Sequence, residues 1–128
     1  MKKIILTTMC LLVDNKGRVL VENRLKKDWP GLTFPGGHVE DNETIEESCI
    51  REIKEETGLT ITSIKCNGYI EWNLDDVRHL CMLFKALDFN GELHSSNEGE
   101  VFFLDEKDFD KFPKSNDFDL IYQKLNKN

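Results

Sequence analysis

The chain reads GHVEDNE at residues 37–43 and, after seven further residues, REIKEETGL at residues 51–59. At about 100° per residue, Glu52, Glu55 and Glu56 fall within roughly a 100° arc of one helix face. Three carboxylates so close repel one another, so the pattern favours a nearby divalent cation such as Mg²⁺, which takes oxygen ligands. A solvated acidic helix face is the competing interpretation.

The residues around these glutamates predict an amphipathic helix over residues 44–57. Its apolar stripe repeats at four-residue spacing at Ile45, Cys49 and Ile53. Thr44 and Glu47 have the spacing of an N-terminal capping box, and Gly58 stands where a left-handed C-terminal cap is favoured. We therefore expect the helix to pack against a core.

A glycine turn precedes this helix and distinguishes it from an ordinary acidic helix. Pro35-Gly36-Gly37 ends the short strand-like run Leu32–Phe34. A glycine carbonyl in such a turn can approach a metal ion without side-chain obstruction. Arg51, four residues before Glu55, can orient a carboxylate as a supporting partner.

Size and charge limit the class of protein. We expect one domain over residues 1–128, because this length is close to the commonest single-domain size. The net charge of −7 argues against binding a nucleic acid polymer or an anionic membrane, both of which favour basic surfaces. An acidic protein can still bind a phosphorylated small molecule when divalent metal ions bridge the two sets of negative charge.

The cysteines predict free thiols. Cys10, Cys49, Cys66 and Cys81 are widely spaced and form no CxxC pair, so buried thiols are favoured over disulfides or a zinc site. This pattern suits a reducing cytoplasm. Residues 4–13 favour a first strand over a secretory signal, because threonines interrupt the apolar run and no cleavage site follows.

Strand-like runs outnumber helices in the remainder of the chain. Ile4–Val13 and Arg18–Glu22 flank a short turn and predict a hairpin. Further strands are predicted at Thr60–Ile64, Lys65–Trp72, His79–Leu87 and Glu100–Leu104, and a last helix from the stripe Phe118, Ile121, Tyr122 and Leu125. The fold class is thus α/β or α+β, without a chosen topology.

Residues 37–59 resemble the Nudix box and match every fixed position of its pattern. That pattern is G, five residues, E, seven residues, RE, an aliphatic residue, any residue, EE, any residue, G and an aliphatic residue. The resemblance implies an α/β/α sandwich with a central mixed β-sheet and a metal-dependent pyrophosphohydrolase. It implies Mg²⁺ ligands at Glu52, Glu55, Glu56 and the Gly37 carbonyl, with Mn²⁺ as the alternative ion. Glu43 and Arg51 are implied to brace the box.

Outside the box the chain resembles the MutT-like branch, whose members hydrolyse nucleoside triphosphates, notably 8-oxo-dGTP, to monophosphate and pyrophosphate. The resemblance implies that Arg24 contacts phosphate, that Glu100 is a further metal-associated carboxylate, and that Asn116 reads the purine. Each has an alternative: a surface arginine, an exposed strand glutamate with Glu98 competing for the role, and a cap on the last helix.

Three aromatic positions and two histidines complete the candidate set. Phe34 is a substrate contact or a core residue, and Trp29 and Trp72 are candidates for the wall of a base pocket, although Trp72 suits half-buried packing in a strand. His79 and His94 have no partner pattern and receive no role.

Several questions stay open at the level of sequence. The general base is Glu55, Glu56 or a glutamate outside the box. The substrate is an oxidised purine nucleotide of the precursor pool, or ADP-ribose, a dinucleoside polyphosphate or a nucleotide sugar. A module that senses nucleotides without turnover is the third hypothesis, and the intact acidic set disfavours it. The protein is expected to be a monomer or a homodimer.

Overall fold

A computed structural model describes residues 2–24, 30–97 and 99–128 of the chain. Its elements, in order, are β1 (Lys3–Leu11), β2 (Val19–Arg24), β3 (Gly31–Thr33), β4 (Gly36–His38), α1 (Ile45–Thr57), β5 (Thr60–Leu74), β6 (Val77–Asn90), β7 (Gly99–Leu104), a 3₁₀ helix (Glu106–Lys111) and α2 (Phe118–Leu125). No helix in the described ranges is long and apolar enough to span a membrane.

The strands form two sheets. The larger sheet has the order β4-β1-β6-β5 and the smaller has the order β3-β2-β7. The larger sheet is mixed, because β1 pairs parallel with β6 but antiparallel with β4. The predicted mixed sheet is confirmed.

The predicted hairpin of the first two strands is wrong. β1 and β2 belong to different sheets and meet only near the turn, at an isolated bridge between Val13 and Val19. The reason is that a strand has two hydrogen-bonding edges. Those of β1 are taken by β4 and β6, and those of β2 by β3 and β7.

Two other sequence predictions need correction. The runs Thr60–Ile64 and Lys65–Trp72 form one strand, β5, whose pairing with β6 is irregular in three places. Such register shifts let a long strand bend without ending. The glycine turn does not end β structure either, because Gly36–His38 forms β4 along the edge of β1.

Helices cover both faces of the sheets. Cys10, Leu12 and Leu20 pack with Cys49 and Ile53 of α1, whereas Leu11 and Val21 pack with Phe118 and other residues of α2. Alternate strand residues point to opposite faces, so consecutive side chains of β1 serve two cores. This arrangement is the expected α/β/α sandwich.

The ends of α1 are as predicted, and the cysteines are free thiols as predicted, but only Cys10, Cys49 and Cys81 are buried, whereas Cys66 is exposed. The Thr44 hydroxyl accepts a hydrogen bond from the Glu47 amide at 3.1 Å, the Glu47 carboxylate accepts one from the Thr44 amide at 2.8 Å, and Gly58 closes the helix with φ of 81°. All four cysteines are free thiols. Burial raises the pKa of Cys81 to about 11.

Candidate active site

The site is built where β4 passes between β1 and α1. A side chain at Gly36 would overlap the backbone carbonyl of Thr8, and one at Gly37 would overlap the carboxylate of Glu52. The close approach therefore requires glycine at both positions. It brings the backbone of the turn directly against the acidic face of α1.

Two of the three predicted carboxylates meet here. Glu52 and Glu56 line one cavity with Gly36 and Gly37. Glu56 is only 4% exposed, and its carboxylate accepts a hydrogen bond from the Gly36 amide at 3.2 Å. Glu55 is placed differently: its side chain is 59% exposed and is not among the described residues that line the cavity.

Arg51 contacts a carboxylate of each kind. Its Nη1 donates to Glu52 at 2.8 Å and to Glu55 at 3.1 Å, so one guanidinium joins a cavity carboxylate to an exposed one. Its Nη2 donates to Glu43 at 2.7 Å and to the His38 carbonyl at 3.0 Å. Arg51 thus ties α1 to the loop that follows β4.

Glu43 is the principal partner of Arg51. It accepts a second bond from Arg51 Nε at 3.0 Å and one from the Glu40 amide at 3.0 Å. The hydrogen bonds from Arg51 lower the pKa of Glu43 to about 2, and Glu43 in turn raises the pKa of Arg51. The predicted bracing residues are therefore in direct contact, with both charges held.

The cavity has a volume of about 390 Å³ and draws on both sheets. Arg24, at the end of β2, is half-buried and lines it. The Arg24 Nε is buried and has no hydrogen-bond partner among the described residues. A guanidinium at the wall of a cavity that also contains two carboxylates suits the binding of a phosphate group with its metal ion.

Sequence reasoning missed Glu22, which lines the same cavity and is 4% exposed. Leu20, Glu22 and Arg24 alternate along β2, so all three point to the α1 side, where Leu20 is core. A charged residue at an inward position of an apolar strand was the available signal.

The aromatic end of the cavity contains Phe34, Trp72 and His79. Phe34 is 2% exposed and stacks on Phe118 with ring centroids 4.7 Å apart, so it is both a core residue and a wall of the cavity. Trp72 and His79 are half-buried and stack with centroids 5.1 Å apart and planes 2° from parallel. Trp29 lies outside the described residues.

Glu100 and Asn116 are not among the described residues that line this cavity. Glu100 is exposed on β7, opposite Asn23 of β2, and Glu98, its competitor, lies outside the described residues. Asn116 is exposed and does not cap the last helix, so that interpretation is wrong.

The residue at the cap of α2 is Asp117. The hydroxyl of the preceding buried Ser115 donates to the Leu32 carbonyl at 2.8 Å, and the Ser115 amide donates to the same oxygen at 3.0 Å. These bonds fix the chain upstream of α2, and the helix begins after Asp117. Asp117 lines a second cavity, which also includes Trp72.

The donors present suit a hard divalent cation. Mg²⁺ in proteins is commonly held by one or two carboxylates together with substrate phosphates. Glu52 and Glu56 provide carboxylate oxygens at the cavity, and Gly37, which also lines it, has no Cβ that would keep its backbone away from Glu52. Within the part of the chain that is described, no three acidic, histidine or cysteine residues converge into a complete metal-binding cluster.

Comparison with known proteins identifies the family of the chain. The NUDIX domain family matches residues 3–124. The chain therefore belongs to the Nudix family and is a Nudix hydrolase, a class that generally uses divalent metal ions and acts on small nucleotide substrates.

Individual relatives carry different names. An 8-oxo-dGTP diphosphatase of Proteus vulgaris is 34% identical over 58% of this chain and 67% of its own length. An ADP-ribose pyrophosphatase of Methanocaldococcus jannaschii is 33% identical over 70% of this chain, which spans 54% of that relative's length.

Solved structures agree in fold. A MutT Nudix hydrolase from Burkholderia pseudomallei superimposes with a TM-score of 0.83 at 18% identity, covering 97% of this chain and 99% of that one. The MutT protein from Bacillus halodurans gives 0.79 at 25% identity, covering 96% and 83%.

Proposed function

We propose that this Nudix hydrolase is a nucleoside triphosphate pyrophosphohydrolase that acts on 8-oxo-dGTP or a related oxidised purine nucleotide, with Mg²⁺ or alternatively Mn²⁺. The observation that carries the proposal is the placement of Glu52, Glu56, the glycine turn and Arg24 around one cavity. A volume of about 390 Å³ is within the usual range for small-molecule sites. The choice of 8-oxo-dGTP as substrate is supported by the similarity of the chain to the 8-oxo-dGTP diphosphatase of Proteus vulgaris.

Each residue of the site has a distinct role in this proposed reaction. A divalent ion bound here supplies charge neutralisation at the phosphate oxygens and a more acidic bound water. Glu52, Glu56 and the Gly37 carbonyl would hold that ion, and the Arg24 guanidinium, which lines the same cavity, would bind a phosphate oxygen. Arg51 and Glu43 keep Glu52 in place, because they anchor it to the loop after β4.

The bond changes are those of hydrolysis at one phosphorus. The water oxygen bonds to one of the two phosphorus atoms of the α–β bridge while the bond from that phosphorus to the bridging oxygen breaks, which releases nucleoside monophosphate and pyrophosphate. The proton of the water passes to a cavity carboxylate. Glu56 is the candidate within the box and Glu22 is the candidate outside it, since both line the cavity.

A specific observation favours a second substrate with the same chemistry. The ADP-ribose pyrophosphatase of Methanocaldococcus jannaschii matches a larger share of the chain than the Proteus vulgaris relative does, 70% against 58%. ADP-ribose also contains a pyrophosphate between two organic groups. It therefore belongs in any test of substrate choice.

The deciding experiment is a panel of 8-oxo-dGTP, dGTP and ADP-ribose, each with Mg²⁺, with products identified by chromatography. We expect fastest turnover of 8-oxo-dGTP, with pyrophosphate released. Preferred cleavage of ADP-ribose would refute the proposed substrate, and release of orthophosphate alone would refute the proposed bond.

A matched pair of variants tests the site itself. Glu56→Gln should lower kcat by about 100-fold or more, the scale for losing one pre-arranged electrostatic group. Glu46→Gln changes an exposed glutamate in the first turn of the same helix and should leave kcat unchanged. Equal activities of the two variants would remove Glu56 from the mechanism.

The protein is further proposed to act in the reducing cytoplasm, a location that the free thiols support.

A further inference from the structure

The stacked pair formed by Trp72 and His79 is not explained by the phosphate chemistry. The two residues are direct cross-strand partners on β5 and β6. Their rings are stacked with planes only 2° from parallel, and both residues line the cavity that contains Glu52 and Glu56. A parallel stack at the wall of a cavity is a flat, weakly hydrated surface.

The charged and the aromatic residues of the cavity belong to different faces of the sandwich. Glu22 and Arg24 share the α1 side of β2 with the core residue Leu20. Trp72 and Met9, which also lines the cavity, instead pack against the core on the α2 side. The charged groups and the aromatic stack therefore approach the cavity from opposite faces of the sandwich.

This division matches the two ends of a nucleotide. A triphosphate chain requires the cationic and metal-holding end, where Arg24 and the carboxylates lie. The opposite wall offers apolar and aromatic surface, on which a base stacks through its π-face irrespective of its hydrogen-bonding edge. Inorganic polyphosphate has no group that would use such a wall.

We propose that Trp72 and His79 form the nucleobase platform of this enzyme, and that they restrict its substrates to nucleoside phosphates. The inference rests on the proposed function, because it assumes that the carboxylate end binds the phosphates. Trp72 was already a candidate for the wall of a base pocket, whereas His79 had no role; the pair takes over the recognition of the base that the resemblance implied for Asn116. Neither residue takes part in bond cleavage.

Binding measurements separate the platform from the phosphate site. Isothermal titration calorimetry with Mg²⁺ would compare α,β-methylene-dGTP, whose α–β bridge is not cleaved, with inorganic tripolyphosphate. Trp72→Leu and His79→Leu should raise the Kd of the nucleotide analogue by about 5- to 150-fold, the range expected for loss of base stacking. The Kd of tripolyphosphate should not change.

Two further variants control for packing. Trp72→Phe keeps an aromatic ring and should restore most of the affinity that Trp72→Leu loses. Leu74→Ala changes an exposed residue of the same strand that is not among the described cavity residues, and it should leave both dissociation constants unchanged. Thermal unfolding of every variant identifies any that are not folded.

The possible outcomes are distinct. Unchanged binding of the analogue by the leucine variants, with a lowered melting temperature, would show cross-strand packing only and overturn the platform. Equal weakening of analogue and tripolyphosphate, or equal affinities of Trp72→Leu and Trp72→Phe, would also overturn it. If the wild type binds the analogue through these rings but cleaves no nucleoside triphosphate, the platform stands and the proposed function fails.

Discussion

Replacing either glycine of the turn by alanine should separate folding from activity. The added methyl group at position 36 would overlap the backbone carbonyl of Thr8, which cannot move without displacing β1. At position 37 it would overlap the carboxylate of Glu52, the end of a flexible side chain that can rotate away. We expect Gly36→Ala to lower the free energy of unfolding by about 1–3 kcal/mol, the usual cost of overpacking.

Gly37→Ala should cost less stability but more activity. It displaces Glu52 from the cavity, and a misplacement of about 1 Å in an active site can lower the rate roughly 100-fold. Thermal unfolding, steady-state kinetics with Mg²⁺ and calorimetric titration with Mn²⁺ would measure both variants. A Gly37→Ala protein with normal turnover and Mn²⁺ affinity would refute the role of the glycine. Equal losses of stability would refute the distinction between backbone and side-chain overlap.

Three further predictions concern the frame of the site. Thr44→Ala removes the cap of α1 and should lower the unfolding free energy by about 1 kcal/mol in urea denaturation. A thiol reagent at pH 8 should modify exposed Cys66 rapidly, whereas Cys81, with its pKa raised to about 11 by burial, should react only after unfolding. Glu43 has its pKa lowered from 4.5 to about 2 by Arg51, so its stabilising contribution is present above pH 4.5 and is lost as pH falls toward 2. The free energy of unfolding, measured by urea denaturation from pH 6 to pH 2, should therefore decrease less steeply with falling pH in Glu43→Gln than in the wild type.

The glutamate-bearing helix α1 could be predicted from sequence because its determinants are local. Thr44, Glu47 and Gly58 lie within one helix and its caps, and spacing alone decides which residues share a face. The convergence of Glu52 and Glu56 follows from the same spacing. The outward position of Glu55 was not predicted: its side chain is 59% exposed and bonds to Arg51 Nη1.

The remainder of the cavity depends on pairings between distant segments. No motif surrounds His79. It lies at the site because β6 pairs with β1 on one side and with β5 on the other, where Trp72 is its cross-strand partner. Glu22 was detectable in principle from strand alternation, but only once β2 was known to be covered by α1. The hairpin prediction failed for a related reason, since a local turn signal does not reveal which sheet each strand will join.

The parallel pairing of β1 with β6 also sets the order in which the site can assemble. Lys3 lies beside Val77 and Leu11 beside Lys85, so the strand that supports the glycine turn obtains its second neighbour only from a distant part of the chain. Contacts of such long sequence separation slow folding, because closing the loop costs entropy before any contact is gained. During synthesis, α1 therefore emerges with all of its glutamates well before β6 exists to complete the sheet. We expect tight metal binding to arise late in folding, and metal affinity to report on completion of the native sheet.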